Sequence, residues 1–169
     1  MAAGSTYTPI ATTTLGSAQA QVTFSSISGS YTDLVLVMNG SMTSGSETAR
    51  VRLNGSSSSI YSQTNLAGSG SAAASSRNTS QTSFRLGETY SGLTTARWTV
   101  LLNIMNYSNT TTNKTMLMRT NDTSGEVAAN VGLFASTSAI TSIDIYARID
   151  LANTFVAGST FTLYGIQAA

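Results

Sequence analysis

The stretch Ile143-Asp-Ile-Tyr-Ala-Arg-Ile-Asp-Leu151 decides how this chain folds. Ile143, Ile145, Ala147, Ile149 and Leu151 alternate with Asp144, Tyr146, Arg148 and Asp150. Successive side chains of a β-strand point to opposite faces, so the pattern predicts a strand with one dry and one wet side. A helix would scatter the five apolar residues around its circumference. After a connection over 153–158, Ser159-Thr-Phe-Thr-Leu-Tyr-Gly-Ile166 repeats the alternation.

Further strands read outward from this pair. Thr48 to Asn54 sets Ala49, Val51 and Leu53 against Arg50 and Arg52, and Asn54-Gly55 closes it. Gln19 to Ser25 alternates weakly. Tyr31 to Asn39 is apolar on both sides, Leu34, Leu36 and Met38 against Val35 and Val37. Arg97 to Tyr107 is apolar on both sides too, with Leu101, Met105 and Tyr107 opposite Trp98, Val100, Leu102 and Ile104. A strand dry on both faces is central or covered by another chain. Val35, Val37, Leu101, Met105 and Tyr107 are therefore the expected subunit interface.

Thr82 to Gly87, Lys114 to Asn121 and the stretch around Ala129, Val131 and Leu133 add shorter strands. Residues 64–81 are small and polar and read as one long loop. The pattern amounts to about eight to ten strands with little or no helix, turning roughly every 8–12 residues. That predicts an all-β fold, an antiparallel β-sandwich of jelly-roll-like type. Residues 10–169 form a single domain, and 1–9 an N-terminal arm anchored by Tyr7, Pro9, Ile10 and Leu15.

Composition removes most chemistry. The chain of 169 residues has no His and no Cys, so it lacks the commonest general base, thiolate metal ligands and disulfides. Only 9% of residues are charged and the net charge is +1, with no basic run of the kind that holds nucleic acid. No leader-like segment opens the sequence, and no apolar run approaches the ~20 residues of a membrane span.

Lys114 sits in a Thr/Asn-rich junction without a Ser-x-x-Lys pattern and reads as a solvated lysine. Asp144 and Asp150 share a strand face roughly 20 Å apart, too far for a glycosidase pair. Asn121 to Glu126 offers oxygen ligands without the EF-hand register, and a turn explains it equally well. Gly68-Ser-Gly70 lacks the Gly-Lys-Ser/Thr of a phosphate loop. The expectation is a non-enzymatic protein with no metal and no cofactor.

With catalysis set aside, several phrases resemble tailed-bacteriophage virion proteins. They are the ending Gly158-Ser-Thr-Phe-Thr-Leu-Tyr-Gly-Ile166 after Phe155, Ser30-Tyr-Thr-Asp-Leu-Val-Leu36, Leu53-Asn-Gly with Tyr61-Ser62, and Asn106-Tyr107 followed by Asn113-Lys-Thr115. The order and spacing are most similar to capsid decoration (cement) proteins. That resemblance implies a small jelly roll without catalytic residues, made in the host cytoplasm. It would sit as a homotrimer on the outer surface of the capsid and bind the major capsid protein. The same ending is similar to tail- or fibre-associated modules, which would make the chain a carbohydrate-binding part of the virion. Lack of a long N-terminal extension favours the stand-alone shell binder.

Overall fold

The computed structural model describes residues 6–43, 48–87, 96–123, 125 and 127–167. Twelve strands run in chain order: β1 Tyr7–Thr14, β2 Gln21–Phe24, β3 Asp33–Gly40, β4 Arg50–Leu53, β5 Tyr61–Gly68, β6 Ala73–Gln81, β7 Phe84–Arg85, β8 Trp98–Met105, β9 Lys114–Asp122, β10 Val127–Phe134, β11 Ile143–Tyr146 and β12 Thr160–Ile166. Among the described residues there is no helix. The strands form an eight-stranded sheet, β1-β12-β3-β8-β9-β10-β5-β6, and a four-stranded sheet, β2-β11-β4-β7, antiparallel throughout. The protein is an all-β, jelly-roll-like sandwich.

Alternation places the core. Leu34, Leu36 and Met38 of β3 pair in register with Ile104, Leu102 and Val100 of β8, and all six are buried. Facing them from the small sheet are Val22, Phe24, Val51, Leu53, Ile143 and Ile145. Phe155 closes one end. Its backbone bridges Gln19 and Met42, and its ring packs edge-on against Trp98 and Phe161.

Four strands cannot cover eight. Where the small sheet ends at β7, the inner face turns polar. There Gln63 Nε2 donates to Asn65 Oδ1 at 2.6 Å, Asn65 Nδ2 donates to Ser76 Oγ at 3.1 Å, and Gln63 Oε1 accepts the Arg85 N–H at 2.7 Å. These amides satisfy one another where no apolar layer is available.

The structure corrects several expectations. Strands number twelve rather than eight to ten, because 64–81 is no loop. It is most of the β5–β6 hairpin, turned at Gly70 with a φ of +84° and closed by Ser69 N–H donating to Ala72 O. Small polar residues hid it, since ladder hydrogen bonds need no apolar side chain.

The deciding stretch forms a strand only from Ile143 to Tyr146. Its partners β2 and β4 are each four residues long, so the ladder ends there. The chain then turns, with Leu151 N–H on Arg148 O and Leu151 itself at a φ of +62° and exposed.

The arm is shorter than 1–9, because Tyr7, Thr8 and Pro9 already pair with Ile166, Gly165 and Tyr164. Its first five positions lie outside the described residues. Pro9 suits an edge strand, where its missing N–H costs no ladder bond. The register shifts between Pro9 and Ala11, which leaves Ile10 as a bulge that packs on the core.

Candidate interaction surface

The outer face of the eight-stranded sheet carries side chains that the core does not use. In β8, Leu101 and Met105 point away from buried Val100, Leu102 and Ile104. In β9, Leu117 and Arg119 lie opposite buried Met116 and Met118. In β10, Val127, Val131 and Leu133 face out while Ala128, Asn130 and Phe134 face in. Cross-strand registry assembles them. One row runs Asn103, Leu117, Val131, Thr64, Arg77, and the next Leu101, Arg119, Ala129, Leu66, Ser75.

Leu66 is 60% exposed, Val127 56% and Val131 51%; Met105, Leu133 and Leu117 are less open. Apolar side chains scattered singly on a surface are ordinary, but six on four neighbouring strands form one patch. Between its ridges lies an open concavity of about 670 Å³, lined by Leu66, Leu101 and Val127 with the small Gly68, Ala73 and Ala129.

The residues expected at a subunit interface separate on this face. Met105 is exposed, and Val37 and Leu101 are half-buried on it. Val35 is buried, flanked in register by Tyr164 and Asn103. Tyr107 is fully buried and belongs to the core. Asn106 has a φ of +56°, which breaks the strand alternation and turns the next ring inward. The Tyr107 hydroxyl then donates to Ser28 O and accepts the Tyr31 N–H. Burial pushes the Tyr107 hydroxyl pKa up.

The four expected anchors of the arm separate as well. Tyr7 is exposed and its ring meets Tyr164 edge-on at 6.3 Å. Pro9 is exposed and Ile10 half-buried. Leu15 is buried, with its N–H on Ser159 O, so it is a core residue and no free anchor.

Other chemistry-bearing groups are structural. Lys114 is not a solvated lysine. It is fully buried, and its ammonium donates to the backbone carbonyls of Asn109 at 2.6 Å, Thr112 at 2.7 Å and Thr137 at 3.2 Å. Burial pushes its pKa down. Asp144 accepts from Thr23 Oγ1 at 2.7 Å and Gln21 Nε2 at 3.1 Å, beside Arg52, whose guanidinium lies 5.6 Å from the Tyr146 ring centre. Arg148 pairs with Asp150 in the turn after β11, away from Asp144. Among the described residues no three His, Cys, Asp or Glu side chains gather as metal ligands. Glu47 and Glu88 lie outside the described residues, as do Ser124 and Glu126 of the calcium-like stretch.

Sequence reasoning missed Leu66, Leu117, Val127 and the two arginines of this face. For β10 the available signal was Asn130 and Gly132, which share a parity with Phe134. A half-buried strand was assigned its larger aliphatics as the inner set, and the structure has the reverse.

No protein-family model matches the sequence, and no curated protein does. Solved structures similar to it include the PL-14 alginate lyase from Aplysia kurodai, with a TM-score of 0.30 and 9% identity over 85% of this chain and 72% of that one. A mutant of the alginate lyase Aly36B in complex with alginate tetrasaccharide follows, with a TM-score of 0.28 and 11% identity over 82% and 72%. A protein of unknown function from Shewanella oneidensis MR-1 has a TM-score of 0.24 and 8% identity over 100% and 82%. Likenesses this distant add nothing to what the chain's own geometry says.

Proposed function

We propose that this chain is a structural protein of a tailed-phage virion, a decoration protein that binds the assembled head from outside and stabilises it. The observation that supports this reading is the apolar outer face of the large sheet. A binder that recognises only the assembled shell stabilises that shell by mass action and needs no catalytic residue. It needs a rigid domain with a dry contact face, and a sheet held by seven ladders supplies one. The partner is then the major capsid protein. A homotrimer on the shell would draw on the same face at Val37, Leu101 and Met105.

A second reading, a carbohydrate-binding module of the tail or fibre, is favoured by exposed Tyr7 beside Tyr164 at the β1 edge. Aromatic rings with one wet side suit sugar faces. An electron-microscopy map of the virion separates the two. Density for this fold on the head, with the β8–β10 face against the shell, supports decoration. Density confined to the tail, with micromolar binding on a glycan array, replaces it with the second reading.

A further inference from the structure

The docking face carries an electrostatic pattern beyond its apolarity. Between β8 and β6, Arg119 and Arg77 are the charged side chains placed on it. Both are exposed, and among the described residues neither is paired with an acid or a carbonyl. Arg119 stands at the 670 Å³ concavity, and Arg77 lines a smaller one with Val131 and Leu133. Arg97, just before β8, is by contrast engaged with Asn39. Asp33, at the far end of β3, accepts the Asn106 N–H at 2.6 Å.

Two unpaired guanidiniums set among exposed leucine and valine are matched by carboxylates set among apolar side chains. Once such a face is covered, an unpaired arginine would be costly, and a planar carboxylate satisfies it with two parallel hydrogen bonds. β9 and β6 are three strand spacings apart, so the arginines stand roughly 14–16 Å from one another. We infer that the occupant of this face is an apolar protein segment bearing two acidic side chains at about that separation, one for Arg119 and one for Arg77. An extended strand with Asp or Glu at positions four apart, about 13 Å, meets the requirement. The inference rests on the decoration reading for the location of the partner. The chemistry of that partner follows from the face.

The test immobilises three synthetic peptides of one length with a Leu/Val/Thr background, carrying two Asp, two Asn or two Lys four positions apart. Wild-type chain is expected to bind the Asp peptide at least tenfold tighter than the Asn peptide, and less so at high salt. The double variant Arg119→Glu with Arg77→Glu is expected to transfer its preference to the Lys peptide. Equal retention on all three peptides overturns the inference, as does an unchanged preference in the reversed variant. So does preferential binding to phosphatidylglycerol vesicles. Empty phage heads form the second arm. Acidic-peptide selectivity without head binding leaves the inference standing and sinks the capsid reading. Head binding indifferent to both arginines does the opposite.

Discussion

Gly132 of β10 lies directly under the ring of Phe84, and a Cβ at position 132 would overlap that ring. Phe84 is fully buried at the edge of the small sheet, so the contact fixes how closely the two sheets approach there. The Ser62 carbonyl, 3.1 Å from the same Cβ position, closes the other escape. Gly132→Ala is expected to cost about 1–3 kcal/mol, the range for an overpacked core. Urea unfolding should show a lower midpoint at an unchanged m-value. Adding Phe84→Leu to the Gly132→Ala variant should relieve part of the loss. Independence of the two substitutions would refute the contact.

The docking face gives the opposite expectation. Leu66→Asp and Val131→Asp alter exposed positions, so stability should stay within about 0.5 kcal/mol. Shell binding should fall at least tenfold, about 1.4 kcal/mol. Thermal melts and head-saturation assays read the two effects separately. A large drop in melting temperature would mean that these side chains support the fold.

Lys114 holds three carbonyls from two turns. Lys114→Met keeps the aliphatic stem and removes the donor, leaving Asn109, Thr112 and Thr137 oxygens without it. Each acceptor that water does not reach costs about 1–3 kcal/mol. The variant should lose at least that much in denaturant unfolding and show faster amide exchange across 106–113. Wild-type stability in Lys114→Met would contradict the ammonium's role as a clasp.

Alkaline pH probes the tyrosines. Burial raises the Tyr61 hydroxyl to about 12 from 10.0. A raised folded pKa means that the folded protein keeps its proton where the unfolded chain has lost it. The stabilisation is whole below pH 10 and is lost progressively up to about pH 12, on the order of 2–3 kcal/mol. Tyr107 acts in the same sense. Lys114, pushed down, acts in the opposite sense and gains stability as pH rises towards the unfolded lysine value. Comparison with Tyr61→Phe isolates the first contribution, because that variant starts less stable, without the Leu53 hydrogen bond, but should fall less steeply above pH 10. Parallel pH curves for the two proteins would exclude it.

Legibility in the sequence followed burial. Leu34, Leu36 and Met38, and Val51 with Leu53, were readable because one face of each strand is dry and the other is not. The β5–β6 hairpin was not, because Ala73 to Gln81 is nearly all exposed and carries no apolar alternation. Its pairing is a property of backbone groups supplied by β5. Tyr107 and Leu151 show a second limit. Both lie just past a strand end where a positive φ cancels the parity. Lys114 shows a third, since a buried cation depends on carbonyls gathered from 109 to 137, which no local pattern reveals.

The pairing of β1 with β12 sets the order of events during synthesis. Tyr7 is registered with Ile166, and Gln167 N–H donates to Thr6 O, so the first strand made waits for the last. β3 waits too, since β12 is the neighbour on its other edge. A nascent chain therefore exposes two unfilled ladder edges until nearly the whole sequence has left the ribosome. Such distant pairing makes folding slow and leaves sticky intermediates. The adjacency also offers a remedy. A short linker joining the two ends, with new termini opened at the exposed Ser69–Ala72 turn, would make β12 and β1 consecutive in synthesis and let that half of the sheet close early.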